Sequence, residues 1–375
     1  MPGPFKRKVF YLPGFDPRGA RHYHQMYRTE AETYGRLSGE ALQVSDRRRG
    51  PAGTVVWKVE NPAAGVTTEY DVLAWDDIIR RGWISNPLTL LGRSARTYWN
   101  YVRLLDWPRV AKLPQGPVVT LMYPPLSTVL IPLLIGLIVF AVAAVWLSGW
   151  AAVSLALVFA LGAGFAILHR MKSFWLLRFF IFNDELTRGA EDPALHARLD
   201  SFADHVAGQL DGPYDEVLLI THSNGSILSV PLMQRLLRLR GGVMPANFRL
   251  LTLGQCIPLL THRKDAGPFR AQLAEVARGR FDWLDIGSPP DGAAFARVNP
   301  FDRIASAETV HLRQITPNFF RFWSPAAYAK RRRNKYETHF DYLRCGERLS
   351  PIDHVSMTAG RRSLDEAVEA FKAVA

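Results

Sequence analysis

The residues best suited to chemistry lie between Asp215 and Ser226, which read Asp-Glu-Val-Leu-Leu-Ile-Thr-His-Ser-Asn-Gly-Ser. Glu216 to Ile220 has the apolar character of a buried strand, and Asn224 to Arg240 has helical character. Between them stands Ser223. A serine at a tight strand-to-helix turn exposes its hydroxyl with the positive end of a helix behind it, the setting of an acyl-transfer nucleophile. The plainer reading is a serine that caps the helix. A nucleophilic serine needs a general base, and the base needs a group to orient it. Late in the chain, His311, His339 and His354 are candidates for the first role, and Asp282, Asp285 and Asp291 for the second.

Thr221-His222-Ser223-Asn224-Gly225 resembles the nucleophile elbow of the α/β-hydrolase family, in particular its lipase and esterase branches, whose motif is G-x-S-x-G. Thr221 replaces the first glycine, and Gly225 keeps the second small position. The resemblance implies that Ser223 is the nucleophile. It also implies oxyanion donors from the Asn224 backbone N–H and from a loop after an early strand, here Leu12-Pro13-Gly14-Phe15-Asp16, through Gly14 or Phe15. An ordinary turn after an edge strand is the rival reading of that loop. The family's order along the chain is serine, acid, histidine, with the acid in a loop after a late strand. That order favours Asp291, with Asp285 as runner-up and Asp282 last. Tyr336-Glu-Thr-His-Phe-Asp-Tyr-Leu343 resembles the histidine region of lipase-like, membrane-anchored bacterial proteins, which favours His339 over His354, with His311 last.

Other chemistries lack their residues. Arg21-His22-Tyr23-His24 with His169 or His196 has no spacing typical of zinc ligands, so no metal is expected. Gly241-Gly242 and Gly14 to Gly19 lack the Lys and Ser/Thr of a phosphate loop, so no nucleotide cofactor is expected, and no nucleic-acid motif is present. Cys256 and Cys345, the only cysteines, argue against a disulfide framework.

Elements that would position these residues can be read along the chain. Lys8 to Leu12, Thr54 to Val59 and Thr67 to Leu73 have strand character, separated by turn residues such as Asn61-Pro62 and Gly65. Asp76 to Trp107 reads as one amphipathic helix along a membrane surface, with packing on the soluble core as the rival. Pro193 to Leu210 reads as a helix capped by Asp192, and Arg249 to Leu253 and Phe281 to Ile286 read as strands. Strands alternating with helices imply a parallel α/β sheet. MPGPFKRKVFYLPGF lacks the apolar region of a signal peptide, so a start at Met1 or Pro2 is expected.

Charge divides the chain more sharply than these patterns do. Charged residues are 21% of the sequence and the net charge is +12, yet the 57 residues from Leu113 to His169 contain no Asp, Glu, Lys or Arg. Ser148 and Gly149 split the span into apolar runs, Leu126 to Leu147 and Trp150 to Leu168, each of about 20 residues, enough for a helix to cross a bilayer. A buried hairpin inside a soluble core is the rival reading. Gly136, Gly149, Gly162 and Gly164 would allow close helix packing, and Trp146, Trp150 and Trp175 fall near the ends, where the bilayer interface favours them. Arg103, Arg109 and Lys112 precede the hairpin and Arg170, Lys172 and Arg178 follow it, so both soluble parts are expected on the cytoplasmic face of the inner membrane. The basic runs Arg47 to Arg49 and Arg331 to Arg333 fit an anionic leaflet or a solvated surface.

The sequence thus predicts an α/β fold, specifically an α/β-hydrolase-like, mostly parallel sheet with helices on both faces, interrupted by a transmembrane hairpin. Residues 1–112 and 170–375 form the two parts of the α/β domain, and residues 113–169 form the hairpin. The expected activity is that of a serine hydrolase on an ester of lipid-like character, with the bilayer as partner, no cofactor, and a homo-oligomer through the hairpin as an option. The alternative is a non-catalytic membrane scaffold that binds a lipid or partner. A small transporter has little support, because the two helices hold no ionisable residue.

Overall fold

The computed structural model describes residues 3–305 and 308–374. Met1 and Pro2, the expected start, lie outside the described residues. The chain forms two compact units, one of residues 1–82, 192–262 and 266–375, the other of residues 83–191 and 263–265.

The first unit holds a nine-stranded sheet built from β1 (Phe5–Leu12), β2 (Gln43–Val44), β3 (Arg48–Arg49), β4 (Val55–Asn61), β5 (Val66–Val72), β6 (Glu216–His222), β7 (Phe248–Leu253), β8 (Asp282–Ile286) and β9 (His311–Ile315). The order is β2-β4-β5-β1-β6-β7-β8-β9, with β3 also on β4. From β5 to β9 every neighbouring pair is parallel, whereas β4 runs antiparallel to β5 and carries β2 and β3 antiparallel to itself. The sheet is therefore mixed and mostly parallel. All seven residues of central β6 are buried, while β4 near the edge alternates, with Trp57, Val59 and Asn61 inward and Lys58 outward.

Adjacent residues of β1 show that both faces are covered. The Phe10 ring meets His205 of the helix Pro193–Ala207 at 5.7 Å, and the Tyr11 ring meets Tyr23 of the helix Ala20–Ser38 at 5.2 Å. The chain leaves β1 toward β5 and leaves β6 the other way, toward β7, so the winding reverses between β1 and β6. In open α/β sheets the crevice beyond the carboxyl ends at such a reversal receives ligands.

The second unit is helical. Gln115–Ala143 and Gly149–Arg170, with mean hydropathies of 2.7 and 2.4 in their most apolar windows, are long and apolar enough to cross a membrane. Only 11% and 28% of those windows are buried, unlike a hairpin enclosed in a soluble core. Where they meet, Gly164 packs against Pro132 and Gly136 against Ala160, whereas Gly149 and Gly162 face open space. Close packing thus uses two of the four glycines expected to serve it. The main segment of the unit runs from Trp83 to Glu191, so flanking helices join the hairpin, whereas the boundaries at 112 and 170 follow charge alone. The single helix expected from Asp76 to Trp107 is instead Asp76–Arg81, Pro87–Leu104 and Trp107–Val110. Gly82 ends the first, and Asn86 caps the second by accepting from the Thr89 N–H, with Pro87 in its first turn.

Candidate active site

β6 ends at His222, and the helix Asn224–Leu239 starts one residue after Ser223. Ser223 takes φ 56° and ψ −125°, a conformation that side chains rarely adopt. Its N–H donates to the Leu253 carbonyl at 3.0 Å, and its carbonyl accepts from the Ser226 N–H at 2.9 Å and the Ser226 hydroxyl at 2.6 Å. The Ser223 side chain makes no capping hydrogen bond, so the helix-cap reading is not realised. Gly225 explains how the turn closes. A Cβ there would overlap the Leu12 carbonyl oxygen, so only glycine lets the helix pass so close to β1.

The β1 loop lies against the serine. A Cβ on Gly14 would fall 2.9 Å from Ser223 Cβ and 3.3 Å from Ser223 Oγ. Trp75 Nε1–H donates to the Pro13 carbonyl at 3.0 Å, and the Phe15 and Trp75 rings pack at 6.3 Å. Asp16, two residues on, accepts from the Arg18 backbone N–H at 2.9 Å, the Arg18 guanidinium at 2.6 Å and the Tyr23 hydroxyl at 3.2 Å. Asn224 opens its helix, so its N–H is one of the first-turn donors without an acceptor inside the helix.

Asp291 follows β8, and His339 closes the short helix Lys335–His339. His339 Nδ1–H donates to Asp291 Oδ2 at 2.8 Å, while Asp291 Oδ1 accepts from the Ala293 N–H at 2.9 Å. Burial of Asp291 favours protonation, but the His339 charge and these hydrogen bonds outweigh it and hold the carboxyl below its usual range. Gly254, after β7, has φ +60°, and a Cβ on it would come within 3.2 Å of Asp291 Oδ2. Tyr342 closes the other side, its hydroxyl accepting from the Ser288 N–H at 2.8 Å.

His222 ties the elbow to the histidine segment. Its Nε2–H donates to the His339 carbonyl at 2.8 Å, and the two rings lie 4.8 Å apart. Burial, then the nearby His339, lowers the His222 pKa to about 3, so the ring stays neutral. Nothing beyond its place beside Ser223 marked it in the sequence. Trp75, Gly254 and Tyr342 had no sequence signal.

Gly14, Phe15, Ser223 and Asn224 therefore lie together at the carboxyl edge of the sheet, and His222 links them to the His339–Asp291 pair. The runners-up do not join them. Asp285 lies within β8 and accepts from Thr252 Oγ1 at 2.7 Å and Gln314 Nε2 at 3.0 Å, and its pKa is pushed up to about 6 by burial. Asp282 and His311 begin β8 and β9 and pair with each other at 2.7 Å, at the opposite edge. His354 bonds Tyr70 OH through Nε2 at 2.8 Å, among aromatic rings. Among the described residues no group of three or more His, Cys, Asp or Glu is placed to hold a metal ion.

Fold and site together define an α/β protein with a buried aspartate–histidine pair beside a strained serine turn. Compared with known proteins, the chain matches no family model, no curated protein and no solved structure.

Proposed function

We propose that the protein is a membrane-anchored serine hydrolase of α/β-hydrolase type, acting on esters or thioesters of lipid-like character. The observation that supports this reading is the His339–Asp291 pair, tied through His222 to the strained turn that carries Ser223. With Nδ1–H committed to Asp291, the free lone pair of His339 is on Nε2. His339 Nε2 takes the Ser223 hydroxyl proton as Oγ attacks the ester carbonyl carbon. The N–H of Asn224 and that of Gly14 or Phe15 hold the oxyanion. As the ester C–O bond breaks, His339 returns the proton to the departing alcohol, leaving an acyl-Ser223. Water, deprotonated by His339, then releases the acid and restores the serine. Asp291 stays ionised, fixes the imidazole tautomer and stabilises the imidazolium.

The apolar hairpin supports a lipid-like substrate, because it gives the chain a bilayer to work beside. Basic residues on both flanks, Arg103, Arg109 and Lys112 before and Arg170, Lys172 and Arg178 after, support a cytoplasmic site for both soluble parts and an outward turn. The second reading, a non-catalytic scaffold, draws on Thr221, larger than the glycine of the resembling motif and left with a buried hydroxyl without a hydrogen-bond partner. Fluorophosphonate labelling of the detergent-solubilised chain separates the two. Wild type is expected to label and Ser223→Ala is not. A wild type that stays unlabelled, or a variant that labels equally well, overturns the hydrolase reading.

A further inference from the structure

The helix Pro87–Leu104 has two apolar faces, and the chain covers only one. Leu90, Ser94, Thr97, Tyr98 and Tyr101 are buried, and the Tyr98 and Tyr101 rings meet Phe180 of the helix Ser173–Thr187 at 5.9 and 5.8 Å. On the outside, Leu88 is 80% exposed, Leu91 42%, Trp99 60% and Val102 47%. At helical spacing these four line one stripe, with the small Ala95 between them, and Arg96 and Arg103 border it on one side. A soluble helix that has already buried one face gains nothing by pointing a Trp and three aliphatic side chains at water.

The neighbours of this helix indicate what covers the stripe. Its packing partner, Ser173–Thr187, starts directly after Arg170, Met171 and Lys172, the basic end of the second apolar helix. There the first hairpin helix is hydrogen-bonded to this junction, Tyr123 OH donating to the Met171 carbonyl at 2.8 Å and Ser127 Oγ pairing with Ser173 Oγ at 3.0 Å. The stripe is thus fixed to the part of the unit where apolar helix gives way to charge. A Trp with arginines beside aliphatic side chains suits the boundary of acyl chains and anionic headgroups, where guanidinium groups reach phosphate while their stems stay apolar.

We propose that the Leu88–Leu91–Trp99–Val102 face is a second membrane contact, lying in the anionic interface of the leaflet at the basic end of the hairpin. The inference rests on the hairpin spanning a bilayer and is independent of the hydrolase chemistry. Its test is spin labelling of the full chain, with the buried Cys256 and Cys345 as the unlabelled background. Labels at Leu88→Cys, Leu91→Cys, Trp99→Cys and Val102→Cys would be compared with Arg93→Cys on the opposite side and Leu137→Cys in the hairpin. The vesicles are phosphatidylcholine containing about one third phosphatidylglycerol. The expected result is collision with oxygen favoured several-fold over a water-soluble nickel chelate at the four stripe positions and at 137, and the reverse at 93. Removing phosphatidylglycerol, or combining Arg96→Gln with Arg103→Gln, should make the stripe labels shallower without moving the label at 137. Stripe labels open to the chelate while 137 is protected would overturn the proposal and leave the hairpin intact. Spin–spin broadening between stripe labels would assign the face to a second copy, which also overturns it. No outcome depends on Ser223, so failure here is distinct from failure of the hydrolase reading.

Discussion

His339 and His354 are both late in the chain, both buried and both near a buried aspartate, but their rings meet different partners. His339 faces Asp291, which arrives from the loop after β8 and can point at Nδ1. His354 directly follows Asp353, and that adjacency fixes the outcome. Asp353 is the N-cap of the helix His354–Ala359, so its carboxylate accepts from the Ser356 N–H at 2.8 Å and the Ser356 hydroxyl at 3.0 Å. The His354 ring turns to Tyr70, and its Nδ1 has no hydrogen-bond partner. Burial lowers the His354 pKa to about 3 and raises that of Asp353 to about 6. A histidine becomes a base by the group that reaches its second nitrogen, and a neighbour already committed to capping cannot be that group.

The largest test of this contrast is kinetic. His339→Ala and Asp291→Asn should each slow fluorophosphonate labelling by about 10³- to 10⁴-fold, while His354→Phe should stay within about tenfold of wild type. Equal losses in all three would dissolve the distinction. Next in size is the elbow that serves only the first histidine. Gly225→Ala, which forces a Cβ onto the Leu12 carbonyl, should destabilise the α/β unit by about 3 kcal/mol in denaturant unfolding and reduce labelling with it.

Asp285→Asn sharpens the choice of acid. Labelling should be retained, and the effect should appear in stability instead. The folded pKa, about 6, lies above the ordinary 3.8, so the native state holds an extra proton between these values and loses stability as pH rises through them. Asparagine has no such dependence. The melting temperature of the variant relative to wild type should therefore rise between pH 4 and pH 8, by the equivalent of about 1–3 kcal/mol. A flat difference would mean that Asp285 is not buried as described. Smallest is His222→Phe, which keeps a ring but leaves the His339 carbonyl without its donor. Labelling should fall by about tenfold, and His222→Gln, which keeps an N–H, should recover part of it.

The Asp215–Ser226 stretch was readable because a buried strand, a serine and a following glycine are all local signals. Strands Glu216–His222, Phe248–Leu253 and Asp282–Ile286 fall within two residues of expectation for the same reason. Less legible were the elements whose stability is supplied from elsewhere. β9 is a short run of mixed polarity that needs β8 beside it, and the helix Ala20–Ser38 hides its buried tyrosines and His24 among polar residues. Gly254 was unreadable as a site residue, and His222 was marked only by its place in the serine motif. Their value depends on what lies opposite, a backbone carbonyl 117 residues away for His222 and an aspartate in the loop after the next strand for Gly254.

β1 sits between β5 and β6 in the finished sheet, yet β6 begins at Glu216, about 200 residues after β1 ends, with the whole apolar hairpin between. At about 5–20 residues per second of synthesis, one edge of β1 waits on the order of 10–40 s for its partner. Throughout that interval the apolar strand Phe5–Leu12 presents unpaired amide and carbonyl groups, the condition under which strands from different chains join. Lys6, Arg7 and Lys8 in the first half of the strand repel a second copy of it, so the charges that begin β1 also guard it while the rest of the protein is being made.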